Sequence, residues 1–344
     1  MQELGTPAAR YRGAVEHRPG LDPAVADVRR AVRVGLAPRA GRGTVVVALS
    51  GGADSLALAA ATAFEAPKLG LRPVAVVVDH GLQDGSADAA AAAVAAAEGL
   101  GLDARAVQVE VGTAGGPEAA ARDARYRALR VAAREASAVA VLTGHTLDDQ
   151  AETVLLGLAR GSGATSLQGM PATSDLNGVA LLRPLLDVRR ETTRAACTAL
   201  GLRPWADPHN TDPAYARVRV RDRVLPVLEA ELGPGIAEAL ARTATQLRED
   251  ADAFAEMIDE TIEDIVEHAE AGISVSIPAL AANPAAVRHR IIRHVVASEF
   301  GQSLTRTQTL EVARLVTEWT GQGPIDLPGC RARRIGTRLE FTAR

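Results

Sequence analysis

A hexapeptide rich in serine and glycine follows the first strongly apolar run of the chain. It consists of Ser50, Gly51, Gly52, Ala53, Asp54 and Ser55. Glycines let a backbone approach a ligand closely, and a helix that starts here would turn unpaired amides toward an anion. The segment lacks the Gly-Lys-Ser/Thr ending of a Walker A loop, whose lysine grips the terminal phosphates during γ-phosphoryl transfer. These residue types therefore predict a cradle for a pyrophosphate group.

Asp54 is the unexpected residue in this cradle, because a carboxylate beside phosphates repels them unless it recruits a cation. A Mg²⁺ ion that bridges Asp54 to a pyrophosphate would explain the acid. The alternative is a plain glycine-rich turn in which Asp54 only caps the following helix.

A second group of acids follows the fourth apolar run, in the segment that begins with Gly144 and His145. Asp148 and Glu152 are four residues apart and Asp149 and Glu152 are three apart, so a helix would gather these carboxylates on one face. The helix dipole stabilises carboxylates in its first turn. They could hold Mg²⁺ or bind the ammonium group of an amine substrate. The alternative is an ordinary acidic first turn.

Other polar residues lie at predicted strand ends or on a helix near them. Asp79 and His80 follow the second apolar run, and Arg122 and Arg125 are three residues apart on one face of a predicted helix. Arginines in that position would hold phosphates or RNA. The alternatives are a solvated loop histidine and a solvated helix face.

The chain alternates short β-branched runs with longer helical segments. The runs cover 44–50, 73–81, 104–111 and 138–145, and the helical segments lie near 55–65, 86–100, 117–135 and 147–159. Strands that are apolar on both faces and alternate with helices imply a parallel sheet covered by helices on both sides, an α/β, Rossmann-like fold. Ligands bind outside the carboxyl ends of such strands. The residues described above therefore share one edge of the predicted sheet.

The composition of the 344 residues favours a soluble, cytoplasmic protein. Apolar residues make up 47% of the chain, which is enough for a sizeable core. Cys197 and Cys330 form no CxxC pair, so they indicate neither a zinc site nor a redox motif and fit a reducing cytoplasm. Residues 1–20 lack the apolar core of a signal peptide, and no run reaches the length of a membrane span. We expect no membrane association.

The segment SGGADS resembles the SGGxDS signature of the N-type ATP pyrophosphatases, the PP-loop superfamily. The segments VDHGL, ARDARYRAL, TGHTLDDQAET, RPLL and WADPHNTDPAY resemble, in order over residues 44–228, those of the tRNA(Ile)-lysidine synthase family. The resemblance implies a ligase that uses ATP and Mg²⁺ to adenylate the wobble cytidine of an isoleucine tRNA with a CAU anticodon. The amine of free L-lysine then attacks C2 of the base, AMP leaves and lysidine forms.

The resemblance also implies overlapping sets of site residues. ATP binding would fall to Ser50, Gly51, Gly52, Ala53, Asp54, Ser55, Asp79, His80, Gly144 and His145. Catalysis would fall to Asp54, Asp149 and Glu152, with Mg²⁺ held by Asp54 and Asp149. Lysine or tRNA would contact Arg122, Arg125, Asp148, Arg217 and Arg219. Two positions depart from the family pattern: Thr146 replaces a second histidine and Val218 replaces an asparagine.

Composition changes along the chain, and this suggests three parts. Between 242 and 270, ten acids stand against two arginines, which indicates a solvated helical stretch. We expect an ATP pyrophosphatase domain over 1–232, an acidic helical connector over 233–272 and a small α+β domain that binds tRNA over 273–344.

The formal net charge of −4 is unusual for an enzyme that acts on tRNA, but the acidic connector dominates it. Residues 286–344 carry ten arginines against five acids, and a local basic cluster consists of Arg217, Arg219, Arg221 and Arg223. Phosphate binding depends on where the charge lies. We therefore expect this tail and the cluster to grip tRNA. The alternative pairs these arginines with local acids.

Two other functions stay open on the residues alone. A tRNA 2-thiolation enzyme of the same superfamily needs catalytic cysteines or an iron–sulfur cluster, whereas Cys197 and Cys330 lie outside the strand-end motifs. A non-catalytic nucleotide-binding sensor would not need Asp148, Asp149 and Glu152 at the rim of the sheet. A homodimer is allowed by the sequence but not indicated by it.

Overall fold

The computed structural model of the protein describes residues 20–41, 43–81, 85–113, 116–161, 163–207, 211–269 and 272–344. The chain divides into two units, Met1–Ala244 and Thr245–Arg344, and the division falls inside a long helix, Ile236–Ile265. The connector boundaries that we expect at 232 and 272 stay predictions.

The sheet of the N-terminal unit contains six strands within the described residues. They are β1 (Gly43–Leu49), β2 (Leu71–Asp79), β3 (Asp103–Gln108), β4 (Ala138–Leu142), β5 (Thr173–Asp175) and β6 (Ala180–Leu182). Their order is β3-β2-β1-β4-β6-β5, and every neighbouring pair is parallel except β5 with β6. The first four correspond to the four predicted runs, whereas β5 and β6 lie in a region with no predicted strand.

The first helices of this unit alternate with the strands, whereas those from α7 onward follow β6 in succession, and α10 continues into the second unit. They are α1 (Pro23–Leu36), α2 (Ala53–Glu65), α3 (Ser86–Gly99), α4 (Pro117–Glu135), α5 (Leu147–Ala159), α6 (Ala164–Leu167), α7 (Arg190–Ala199), α8 (Ala216–Arg219), α9 (Leu225–Leu232) and α10 (Ile236–Ile265), with a π-helical turn over Val220–Val224. Asp22 caps α1 by accepting the Ala24 amide, and Pro23, whose fixed φ suits a first turn, occupies its first position.

Both faces of the parallel sheet are buried. On β1, Val45 and Val47 pack in one core with residues of α1, α2, α3 and α7, whereas Val46 packs in a second core with Leu129 and Ala133 of α4. Alternation of side chains along a strand sends consecutive valines to opposite faces, so an uninterrupted apolar run is needed. The predicted α/β class with helices on both sides is confirmed.

The C-terminal unit is a small α+β domain, as predicted. Its elements beyond α10 are β7 (Val266–Ala269), β8 (Gly272–Ser276), α11 (Ile277–Ala282), α12 (Ala285–Phe300), α13 (Arg306–Thr317), β9 (Ile325–Leu327), β10 (Cys330–Ile335) and β11 (Arg338–Ala343). The strands described there form an antiparallel sheet in the order β7-β8-β11-β10-β9. Leu339 and Phe341 of β11 pack with Ile291 and Val295 of α12 in a separate core.

None of the helices described in the structure is both long and apolar enough to cross a membrane. The two cysteines, Cys197 and Cys330, are buried and unpaired.

Candidate active site

The candidate site lies where the carboxyl ends of β1 and β4 meet. The chain continues from β1 to β2 on one side, whereas β4 pairs with the other side of β1, so the order of the sheet reverses here. Parallel α/β sheets bind their ligands at this position. The 50–55 segment follows β1, and Thr143, Gly144 and His145 follow β4.

Gly144 lets the two strand ends approach each other. A Cβ atom added at Gly144 would lie 3.0 Å from the backbone carbonyl carbon and oxygen of Asp54 and 3.1 Å from the amide nitrogen of Ser55. Backbone atoms at such distances leave no room for a side chain without a shift of the loop. The loop after β4 therefore packs directly on the first turn of α2.

The 50–55 segment forms a loop that leads into an uncapped helix. Gly51 has a φ of +80°, which favours glycine, and Gly52 precedes α2 with no side chain bonded to the helix end. The Ser55 hydroxyl donates to the Gly52 carbonyl oxygen (2.9 Å) and accepts from the Ser50 amide (3.1 Å). The Trp205 amide donates to the Gly51 carbonyl oxygen (2.9 Å). A loop that opens onto a helix N-terminus in this way is suited to bind phosphate groups.

The Asp54 side chain does not cap α2. Its carboxylate accepts a hydrogen bond from the Thr193 hydroxyl and lies 3.5 Å from Nε of Arg190. Burial raises the pKa of Asp54 above its ordinary value, although Thr193 and Arg190 act in the opposite direction. The ionised carboxylate is therefore short of compensating positive charge, and a cation beside it would be stabilised.

Arg190, at the start of α7, is not among the site residues predicted from the sequence. Besides its contact with Asp54, its guanidinium lies 2.8 Å from a carboxylate oxygen of Asp149 and 3.0 Å from one of Glu152. Burial lowers the pKa of Arg190, but the three carboxylates outweigh that effect and hold it above its ordinary value. One permanently charged guanidinium thus joins the cradle to the acidic face of α5. The signal available in the sequence was the third arginine of RPLLDVRRE.

Asp149 is held from two sides. One of its oxygens accepts hydrogen bonds from both the amide and the hydroxyl of Thr146, each at 2.8 Å, and the other accepts from Arg190. Burial raises the pKa of Asp149, but Arg190, Thr146 and His145 outweigh burial and hold it below its ordinary value. Thr146, which carries no predicted role, therefore fixes Asp149 through a capping box at the start of α5.

Glu152 is fully buried and is surrounded by arginines. One of its oxygens lies 3.0 Å from Nη1 of Arg190 and 2.8 Å from Nε of Arg221, and the other lies 3.2 Å from Nη2 of Arg221. Arg217 approaches this second oxygen at 3.8 Å and donates to the Thr153 hydroxyl (3.3 Å). A carboxylate removed from water is tolerated only with such partners.

Two residues that we predicted to contact the substrate form hydrogen bonds with other residues of the protein. Asp148 accepts the backbone amide of Arg190 (2.7 Å) and so helps to place the start of α7. Arg219 donates to the carbonyl oxygens of Pro213 and Ala214, each at 2.7 Å. Asp148 lies beside the other acids of α5, whereas the Arg219 side chain is bonded to the loop that precedes α8. The roles that we predicted for both residues toward lysine or tRNA stay predictions.

A group of cationic and aromatic side chains on α4 adjoins the site. Arg122 and Arg125 stack on Tyr126, with guanidinium carbons 5.1 Å and 5.3 Å from the ring centroid. Nε of Arg125 is buried and makes no hydrogen bond to the residues described in the structure. Burial lowers the pKa of Arg125, Arg122 lowers it further, and Tyr126 partly offsets both. Crowded cations with an unpaired buried donor favour an anion beside them.

His145 connects this group to the acids of α5. Its Nδ1 lies 3.0 Å from the Thr143 hydroxyl. Burial lowers the pKa of His145 to about 3, with Arg125 acting in the same direction and Asp149 in the opposite one. The imidazole is therefore neutral at physiological pH.

The residues after β2 lie near the same cations. Burial lowers the pKa of His80, and Arg125 lowers it further. Nδ1 of His80 is buried and unbonded within the described part of the chain. Asp79 accepts the Gly81 amide (2.9 Å) and stabilises the turn after the strand. The last residue of VDHGL, at position 82, and residues 208–210 of WADPHNTDPAY lie outside the described residues.

Asp54 fits a Mg²⁺ ion better than Asp149 does. Mg²⁺ usually keeps several waters and binds through one or two carboxylates together with substrate phosphates. Asp54 adjoins the cradle and meets Arg190 only at 3.5 Å, whereas Asp149 lies 2.8 Å from Arg190 and also accepts two hydrogen bonds from Thr146. Within the described residues, no group of three or more histidine, cysteine or acidic side chains could hold a metal ion.

Cys197 lies under the cradle, with its thiol bonded to the backbone there. Its Sγ donates to the Ala53 carbonyl oxygen (3.3 Å), and burial raises the pKa of the thiol to about 11. The thiolate is the nucleophilic form of cysteine. A thiol held in this way argues against a catalytic cysteine in this site.

Comparisons with known proteins decide the family. The PP-loop domain family matches residues 26–228, and the TilS substrate binding domain matches residues 276–339. The tRNA(Ile)-lysidine synthase of Leifsonia xyli is 58% identical over 307 residues, covering 88% of this chain and 91% of that protein. This chain belongs to the tRNA(Ile)-lysidine synthase family. The synthase of Thermobifida fusca is 52% identical over 318 residues, covering 92% of this chain and 96% of that protein.

Family membership confirms the resemblance seen in the motifs. It also confirms the predicted enzyme class, a ligase of tRNA modification that forms a carbon–nitrogen bond, and the use of ATP by a PP-loop domain. Nothing in the comparisons supports the non-catalytic sensor or the 2-thiolation enzyme as an alternative within this family.

One solved structure shares the fold at low sequence identity. The U34-tRNA thiolase NcsA from Methanococcus maripaludis, with its [4Fe-4S] cluster, matches with a TM-score of 0.56 and 23% identity, covering 66% of this chain and 80% of that chain. This likeness shows the fold alone.

Proposed function

We propose that this protein joins free L-lysine to C2 of the wobble cytidine in tRNA(Ile) with a CAU anticodon, in two steps that use ATP. In the first step, the oxygen on C2 attacks the α-phosphorus of ATP, and pyrophosphate leaves. In the second step, the lysine amine attacks C2, and AMP leaves with that oxygen. One observation carries the proposal: Arg190 bonds both to the acid of the cradle and to the acids of α5.

The cradle supports the first step. Its open amides and the start of α2 would hold the phosphates, and donors already in place at the developing charge need no rearrangement during the reaction. Asp54 would hold Mg²⁺ together with phosphate oxygens, and the ion when bound neutralises the charge on the leaving pyrophosphate. Thr193 and Arg190 orient the Asp54 carboxylate for this role.

The acids of α5 support the second step. Asp148 and Asp149 would attract the ammonium group of lysine to the edge of the sheet by their negative charge, since both oxygens of Asp149 are already hydrogen-bonded within the protein. Arg122 and Arg125 are close enough to lower the pKa of His145, and they would lower that of an incoming amine in the same way. An amine that loses its proton becomes the nucleophile.

Glu152 has a different role in this proposal. Arginines contact both of its oxygens, so a substrate ammonium would have to displace a guanidinium to reach it. We assign Glu152 to positioning Arg190 and Arg221 rather than to direct contact with lysine.

The remaining predicted contacts complete the proposal. Arg122, Arg125 and Arg217 are proposed to hold phosphates of the RNA near the reacting base. The use of Mg²⁺ and of lysine belongs to the proposal, and the homodimer and the cytoplasmic location stay predictions.

The test is ATP-dependent incorporation of radiolabelled lysine into a tRNA(Ile) transcript with a CAU anticodon. We expect label with the unaltered protein, loss of label with Asp54→Asn, and retention with Glu135→Gln, an exposed acid paired with Arg105. Release of pyrophosphate is measured in parallel. Pyrophosphate without label would leave adenylation standing and contradict lysine or this RNA as the substrate.

A further inference from the structure

The ten arginines of residues 286–344 fall into different groups in the structure. Five of them pair with carboxylates: Arg314 with Glu318 (3.2 Å), Arg331 with Asp326 (2.8 Å), Arg333 with Glu340 (2.9 Å), Arg338 with Glu267, and Arg344 with Asp326 (3.1 Å). Four of these arginines lie on β10, on β11 or just after β11. The four arginines on or just after these strands meet three carboxylates, because Arg331 and Arg344 share Asp326, so their charge is largely balanced. Arg334 of β10 donates instead to the carbonyl oxygens of Leu315 and Gly336.

Besides Arg288 and Arg334, whose guanidinium groups bond carbonyl oxygens, three of the ten arginines have no carboxylate partner within the described residues. These are Arg290, Arg293 and Arg306, and together with His289 we call them the α12 basic face. Arg290 lies over the ring of Phe254 (4.1 Å) and donates to a carbonyl oxygen of its own helix. Arg293 and Arg306 make no hydrogen bond or ion pair to the residues that the structure describes. Their charge is left unbalanced.

The members of the α12 basic face repel one another. Arg290 and Arg293 are three residues apart and His289 and Arg293 are four apart, so they share one face of α12. Burial lowers the pKa of Arg293, and Arg290 and Arg306 lower it further. Burial also lowers the pKa of His289, with Arg293 and Arg306 among the contributing cations. This repulsion between cations does not stabilise the folded protein.

The position of Arg306 on its helix adds to the cost. Arg306 is the first residue of α13, and neither α12 nor α13 carries an acid in its first turn. A cation near a helix N-terminus opposes the helix dipole, whereas an anion is stabilised there. Arg288 differs, because it bonds carbonyl oxygens at the end of α11 and so has a structural role.

We propose that the α12 basic face binds the sugar–phosphate backbone of the tRNA, and that the paired arginines of the sheet do not. The identity of the RNA rests on the proposed function. A polyanion relieves the repulsion between the arginines, and its binding releases condensed counterions. Contacts to phosphates fix the orientation of a nucleic acid without reading its sequence. The face would therefore orient the tRNA and leave recognition of the anticodon to other residues.

The test compares two double variants that lose the same charge. Arg293→Gln with Arg306→Gln removes two cations from the α12 basic face, and Arg331→Gln with Arg344→Gln removes two from the sheet. Each changes the formal net charge of −4 by the same amount. Binding of the tRNA(Ile) transcript with a CAU anticodon is measured by fluorescence anisotropy between 50 and 200 mM KCl, without ATP or lysine.

We expect the first variant to flatten the slope of log K against log[salt] by about 1.4 to 1.8, at about 0.7 to 0.9 for each phosphate contact. Its affinity at the lowest salt should fall about tenfold to hundredfold. The sheet variant should change the slope by less than about 0.5. Equal changes in the two variants, a larger change in the sheet variant, or no binding by the unaltered protein would overturn the proposal.

Two further measurements keep the outcomes distinct. Circular dichroism and thermal unfolding check that both double variants fold. If either one does not fold, the single variants Arg306→Gln and Arg331→Gln, both at exposed positions, are compared instead. Lysine incorporation by the unaltered protein tests the reaction separately. If the unaltered protein incorporates lysine but the two double variants have equal salt slopes, only the role of the α12 basic face is contradicted. If the slopes differ but no lysine is incorporated, RNA binding by the α12 basic face is supported and the proposed reaction is contradicted.

Discussion

Glu152→Gln should destabilise the N-terminal unit strongly although it changes only one atom of a side chain. The carboxylate is fully buried, and its two oxygens accept three hydrogen bonds from Arg190 and Arg221. A neutral amide has one acceptor oxygen, and its NH₂ group would point at a guanidinium. Hydrogen bonds to charged groups contribute about 1.5–3 kcal/mol each. Since the amide keeps part of this bonding, we expect a loss of about 2–4 kcal/mol.

The assay is thermal unfolding at pH 7, followed by a signal of the N-terminal unit. For a unit of this size, about 1 kcal/mol shifts the midpoint by about 2–4 °C, so the expected fall is roughly 4–16 °C. Glu135→Gln is the matched control, because Glu135 pairs with Arg105 while both side chains are about half exposed. Exposed pairs contribute about 0–1 kcal/mol, so this control should shift the midpoint by a few degrees at most.

A third variant examines the cause of the loss. Glu152→Gln with Arg221→Gln should be less unstable than the sum of the single changes, because the guanidinium left without a partner is also removed. The reasoning is refuted if Glu152→Gln unfolds within a degree or two of Glu135→Gln. Strict additivity in the double variant would contradict the pairing as the source of the cost.

Three other results are expected from the site. Gly144→Ala should abolish pyrophosphate release and lower stability by about 1–3 kcal/mol, because its Cβ would lie 3.0 Å from the Asp54 carbonyl group; full activity would contradict that contact. His145 has a folded-state pKa of about 3, below its unfolded value near 6.5, so protonation favours the unfolded chain. Its contribution to stability should be complete above about pH 6.5 and lost as the pH falls toward 3, and an NMR midpoint for His145 between pH 5 and 8 would argue otherwise. Cys197→Ala should keep lysine incorporation, and the folded protein should resist iodoacetamide at Cys197, whose thiol has a pKa of about 11; rapid alkylation of the folded protein would count against this.

The strand ends could be predicted because buried parallel strands appear as continuous apolar runs that stop where polar residues begin. The edge strands β5 and β6 could not be predicted in the same way. Each has three residues, Thr173–Asp175 and Ala180–Leu182, which is too short for a period to appear. β6 pairs with β4, and β5 pairs with β6, so the place of both strands in the sheet follows from β4.

The centre of the site depends on contacts that no local pattern contains. Arg190 lies 38 residues from Glu152 and 41 from Asp149, and Thr193 lies 139 residues from Asp54. These residues are far apart in the sequence and come together only in the fold, where α7 packs against α2. A sequence shows acids at suitable spacing, but it does not show which arginine will neutralise them.

The basic cluster shows the limit of reading charge without geometry. Arg217 and Arg221 are four residues apart and reach Glu152 from one side of the α8 and π-helical turns. Arg219, between them, bonds carbonyl oxygens on the other side. Alternate arginines in RVRVRDR therefore serve different parts of the structure, although the sequence presents them as one cluster.

The two edges of the N-terminal sheet bear on how copies of this protein behave at high concentration. An open edge strand is a template for pairing with another chain, which leads to aggregation. One edge here is β5, which has only three residues. The other is β3, where Asp103 and Arg105 carry charge and form ion pairs with Arg72 and Glu135. Both edges therefore resist the addition of a further strand, which disfavours edge-to-edge aggregation of this sheet.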